Sequence, residues 1–137
     1  MPNIQNRLPL RQTLIADAVL CGAMGGLLVV LSGFISGATQ IPALLLSYAG
    51  FSLFPIAAFI AFVALRSGRD SAGVWMVIAG NALWVLASFV LVFGLIAPNA
   101  LGIAFIAGQA TVVALLAWLE FTCLSVLEHN AGRASKP

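Results

Sequence analysis

Residues 72–97 read AGVWMVIAGNALWVLASFVLVFGLIA and contain no Asp, Glu, Lys, Arg or His. A helix needs about 20 mainly apolar residues to cross a hydrocarbon layer about 30 Å thick, each residue adding about 1.5 Å. This stretch is therefore read as a membrane span. Two others of the same kind precede it, at about 13–37 and about 42–65, and one follows at about 101–127. The connectors are short: residues 37–42 end in a proline suited to a first helical turn, 66–71 are polar, and Ala97-Pro98-Asn99-Ala100 has turn chemistry. Short links make successive helices antiparallel neighbours. The expected fold is all-α, a single membrane domain over residues 1–137 folded as an up-down bundle of four transmembrane helices.

Composition agrees with that reading. Of 137 residues, 62% are hydrophobic and 7% charged, where a soluble domain carries roughly a quarter charged residues. Nucleic acid is excluded as a partner, because phosphates need a cluster of Lys and Arg that this chain lacks. The lipid bilayer is the partner that the sequence demands. Arg7 and Arg11 precede the first span, Arg66 and Arg69 lie between the second and third, and Arg133 and Lys136 follow the fourth. With every Lys and Arg on one side, the positive-inside rule puts both termini in the cytoplasm, and the same bias argues against dual topology. The first apolar run exceeds the 7–15 residues or so of a signal-peptide core, so it is read as an uncleaved helix. The small, polar tail at 130–137 is expected to fray.

Helical periodicity sorts the polar and small residues onto faces. On the first span Gly22, Gly26, Gly33 and Gly37 are spaced as GxxxG pairs beside Ala18, Cys21 and Gly25. Such faces let helices approach closely, either within the bundle or against a second membrane protein or another copy of the chain. The second span carries Pro55 in mid-helix, which removes a backbone donor and predicts a kink. Asn81, Trp84 and Ser88 form a polar stripe on the third span. On the fourth, Gln109 and Glu120 return to nearly the same face but stand roughly 16 Å apart in height, marking two levels.

Asp17 and Glu120 are the most informative residues. A carboxylate inside a membrane costs several kcal/mol unless it is satisfied, neutralised or wetted, and neither acid has a Lys or Arg inside any span. Both lie in the half of their helices nearer the termini, at a depth similar to that of Asn81, so a cluster of these three is geometrically plausible. Three readings compete: a structural hydrogen-bond cluster, a proton-coupled transport site for a small hydrophobic molecule, and a membrane-embedded enzyme acting on a lipid-like substrate through the two carboxyls as general acid and base. His129 lies beyond the last span, Cys21 and Cys123 form no C-x-x-C pair, and neither a P-loop nor a Gly-x-Ser-x-Gly elbow is present. No catalytic residue, metal or cofactor is assigned.

The run Gly80-Asn81-Ala82-Leu83-Trp84-Val85-Leu86-Ala87-Ser88, with Pro98-Asn99-Ala100-Leu101-Gly102 and Gln109 after it, resembles a group of small uncharacterised bacterial four-span membrane proteins. The resemblance lies in spans three and four. It implies a multi-pass protein of the bacterial inner membrane and no particular activity. The expected function is binding within the membrane, first as an accessory or assembly subunit of a larger complex, with the glycine face of span one as its interface. The alternative occupant is a hydrophobic small molecule held near Asp17, Asn81, Trp84, Ser88, Gln109 and Glu120.

Overall fold

A computed structural model describes residues 4–66 and 71–135, with side chains described from Pro9 onward. The Arg7 side chain, residues 67–70 of the polar connector with Arg69, and Lys136 lie outside the described residues. The described chain is helical, with no strand: α1 (Ile4–Val30), α2 (Ser32–Thr39), α3 (Ala43–Arg66), α4 (Ser71–Val90), a π-helical turn (Leu91–Leu95) and α5 (Ala100–Ala134). Four segments are long and apolar enough to cross a membrane: Pro9–Val30, Ala43–Arg66, Ser71–Leu95 and Ala100–Ala134. The chain is a multi-pass membrane protein. Its outer surface agrees, for Val30, Phe34, Leu65 and Phe93 are each more than 70% exposed, and water would not tolerate so many large apolar side chains uncovered.

The first span departs from one straight helix over 13–37. It begins earlier, with Pro9 in the opening turns, and bends at Leu31 (φ −105°, ψ 13°) before α2. The hydrogen-bond ladder runs through the bend, Leu31 N donating to Leu27 O at 2.9 Å and Ile35 N to Leu31 O at 2.8 Å. Ser32 and Gly33, both weaker helix formers than Ala or Leu, follow the bend. Pro55, by contrast, sits within an α3 that continues on both sides of it. At the far end, α5 runs past Leu127 to Ala134, so the described part of the expected fraying tail is helical, with its side chains exposed.

The helices associate unevenly. The most extensive contact is α1 against α3, followed by α4 against α5 and α1 against α5, whereas the consecutive helices α3 and α4 barely touch. The α1–α3 contact is set by two glycines. A Cβ on Gly25 would stand 2.9 Å from the Gly50 carbonyl oxygen, and a Cβ on Gly50 would stand 2.9 Å from that of Gly25. Only bare backbones fit there, which brings the two helices into the close packing that small residues permit in lipid. Gly22 of the anticipated GxxxG pair makes an ordinary 3.9 Å contact with Ala57, while nothing lies within 4 Å of a Cβ added to Gly26, Gly33 or Gly37.

The end of the molecule opposite the termini is tied by Asn99. Its side chain caps α5 by accepting from Gly102 N at 3.0 Å and donates to Ala38 O at 2.7 Å, while its backbone N donates to Thr39 O at 3.1 Å. Gly102 must be glycine for α2 to come this near, since a Cβ would fall 2.5 Å from Thr39 O. Two apolar clusters result, one around Leu10, Leu14, Ile60, Val74 and Leu124 towards the termini, the other around Leu28, Ile35, Ile41, Leu46 and Ile106. Polar side chains lie between them. Gly50→Val is expected to lower the stability of the detergent-solubilised protein by about 1–3 kcal/mol in an unfolding titration, and Gly26→Val to change it little; equal effects would contradict the Gly25–Gly50 contact.

Candidate functional site

Asp17 on α1, Asn81 on α4 and Glu120 on α5 meet between the two apolar clusters. The Asn81 amide nitrogen donates to Asp17 Oδ2 at 2.8 Å and to Glu120 Oε2 at 3.3 Å. An amide NH2 has two hydrogens, so both are committed, one to each carboxyl. Cys21, one turn above Asp17, turns its thiol towards Asp17 Oδ1 at 3.9 Å. Asp17 is 1% exposed, Asn81 5% and Glu120 0%. Glu120 Oε1 finds no amide, hydroxyl or backbone donor among the described residues, and the Asp17 and Glu120 carboxyls lie within hydrogen-bonding reach of each other, so a proton on one is shared with the other.

Charge compensation is missing from this level. No Lys or Arg occurs between Arg11 and Arg66, or between Arg69 and Arg133. Helix α4 has no ionisable side chain, and the two on α3, Tyr48 and Arg66, are exposed. Arg66 instead stacks its guanidinium over the Phe62 ring at 4.6 Å, at the end of its helix. Among the described residues no cluster of His, Cys, Asp and Glu could hold a metal ion.

A second polar level lies further along α4 and α5. Trp84 Nε1 donates to Gln109 Oε1 at 3.0 Å, Gln109 Nε2 reaches Ser88 Oγ at 3.5 Å, and Ser88 Oγ donates to the Trp84 carbonyl at 2.8 Å. Gln109 and Glu120 thus belong to separate clusters. The stripe formed by Asn81, Trp84 and Ser88 connects them along one helix.

Beside both levels is a cavity of about 700 Å³ walled by α1, α3, α4 and α5, within the range of small-molecule sites. It occupies the space that α3 and α4 leave by not packing together. Asp17, Asn81, Trp84 and Gln109 supply its polar wall, and the remainder is apolar, with Met24, Phe59 and Phe105 prominent. Ile56 and Phe59 on α3 and Met76 on α4 line it and are also exposed on the outer surface, so the cavity opens sideways. Trp84, Phe105 and Gln109 also line a smaller cavity of about 160 Å³ that reaches Ile41 and Ile96. These three side chains form the partition between the two spaces.

Helix-face reasoning identifies the polar wall with Trp84 but misses Phe105. It also misses Gly80 and Gly108, whose lack of side chains leaves room in the cavity: nothing lies within 4 Å of a Cβ added to either. Their positions next to Asn81 and Gln109 in sequence are the available signal. Gly22, Gly26, Gly33 and Gly37 take no part in the cavity. No family model, curated protein or solved structure matches the chain. The site is therefore interpreted on its own geometry.

Replacing Asn81 with Leu removes the donor that both acids share and is expected to cost about 1–3 kcal/mol in an unfolding titration. Trp84→Phe removes one partly buried bond and should cost about 1 kcal/mol or less. A negligible loss for Asn81→Leu would contradict its bridging position.

Proposed function

We propose that this chain is a small binding protein of the bacterial inner membrane whose occupant is a hydrophobic small molecule. Its four spans are read as an up-down bundle with both termini in the cytoplasm. The observation that carries the proposal is the sideways-opening cavity of about 700 Å³ with Asp17 and Asn81 in its wall. An apolar chamber with a few convergent polar groups is what a ligand of mixed character requires. Its side opening would face acyl chains, so an apolar ligand could reach it from the bilayer without crossing water. The two buried acids also suit the proton-coupled version of this function, in which they would carry protons as the ligand moves.

A second reading rests on a different surface. Gly26, Gly33 and Gly37 have no neighbour where a side chain would begin, which leaves part of the first span free to pack against another membrane protein. That is the accessory-subunit role. The cavity favours the small-molecule occupant, because a protein that served only as a helix-packing partner would have no use for so large an internal space.

Native mass spectrometry of protein extracted gently from its own membrane tests the choice. The wild type should retain a small molecule, Gly108→Phe should lose it by filling the cavity, and Gly26→Leu should keep it. A wild type that carries a stoichiometric foreign subunit, with no small molecule, would support the second reading instead. For the orientation, a green fluorescent protein fused to the C-terminus should fluoresce, while alkaline phosphatase fused there should be inactive.

A further inference from the structure

The hydrogen-bond accounting at the acid level limits which ligands the cavity can take. Both Asn81 N–H groups are already given to the two carboxyls, and the Cys21 thiol is turned towards Asp17. The donors at this level are spent. Acceptor capacity is not, for Asp17 lines the cavity, and its two carboxyl oxygens have lone pairs beyond those that Asn81 and Cys21 engage. A ligand whose polar end only accepts hydrogen bonds would find no donor there, and an anion would face two carboxyl groups. A ligand that donates would meet the remaining lone pairs of Asp17.

Charge points the same way. Two carboxyl groups share a single amide, and no basic residue of the spans stands opposite them. A cation at this point would meet charge-assisted hydrogen bonds in a medium of low dielectric, where they are strongest. The aromatic rings of Phe59, Trp84 and Phe105 in the cavity wall would accept both an apolar body and, through their faces, a positive charge. Asp17 presents only a sliver of its surface, being 1% exposed, which suits a compact N–H donor better than a bulky polar head.

We propose that the cavity takes an amphiphilic amine, its protonated nitrogen hydrogen-bonded to Asp17 with Glu120 behind it and its apolar body lying between α3 and α4. The inference rests on the small-molecule reading above and specifies the chemical class of that ligand.

Equilibrium dialysis of the micelle-solubilised full chain, against protein-free micelles, separates the two claims with a matched set of probes: 1-naphthylmethylamine, 1-naphthylmethanol and 1-naphthoate. The expected result is that the amine, protonated at neutral pH, binds on the order of tenfold or more tighter than the alcohol, with the carboxylate weakest. Asp17→Asn and, as a second variant, Glu120→Gln should each remove most of the amine's advantage while leaving alcohol binding nearly unchanged. Equal binding of all three probes, abolished by Gly108→Phe, would overturn the amine inference and leave the cavity reading standing. No binding above protein-free micelles, or binding that Gly108→Phe does not alter, would overturn both. The wild-type comparison among the three probes decides the matter even if an acid variant fails to fold.

Discussion

One amide group holds the two buried acids of this protein together. Asn81 places a hydrogen on each of two carboxyls from two other helices, and no basic side chain in the spans could do that work in its place. In water such an arrangement would be minor, because each acid could be solvated alone. Within a membrane the alternatives for a carboxyl are few, so α1, α4 and α5 are constrained to meet at one depth. The two apolar clusters lie on either side of that level. Glu120 Oε1 finds no amide or hydroxyl donor there, and the two carboxyls lie within hydrogen-bonding reach of each other.

The cavity follows from the way the helices are paired. Gly25 and Gly50 draw α1 and α3 together until backbone meets backbone, and α4 lies against α5 through the Trp84–Gln109 bond. Asn99 and Gly102 join the α2 end of the first pair to the start of α5. Among the described residues α3 and α4 barely touch, and Gly80 and Gly108 add no side chain to the wall of the gap. Close packing in one place and its absence in another thus produce a chamber in a protein with hardly any chain outside its helices.

Much of this was legible in the sequence. The number of spans follows from the length of the mainly apolar runs, and the similar depth of Asp17, Asn81 and Glu120 follows from counting residues along each helix. Periodicity also shows that Gln109 and Glu120 share a face yet stand at separate levels. It cannot show how each helix is rotated towards its neighbours. That is why the partnership of Trp84 with Gln109, the opposition of Gly25 to Gly50 and the gap between α3 and α4 emerge only in three dimensions. GxxxG spacing points to Gly22 and Gly26, whereas the close approach of α1 to α3 uses Gly25, whose partner Gly50 lies on a helix where no such spacing marks it. The bend at Leu31 was hidden because Ser32 and Gly33 are compatible with an uninterrupted helix as well as with a bent one.

The bridging amide is the claim on which the rest depends, and it can be measured without perturbing the protein. Solid-state NMR in lipid bilayers, on protein labelled at the Asn81 side-chain nitrogen and the side-chain carboxyl carbons of Asp17 and Glu120, reads both nitrogen-to-carbon distances. The account predicts that each lies within about 4 Å, as hydrogen bonding requires. A distance beyond about 6 Å to either carboxyl carbon, too long for a direct hydrogen bond, would contradict it.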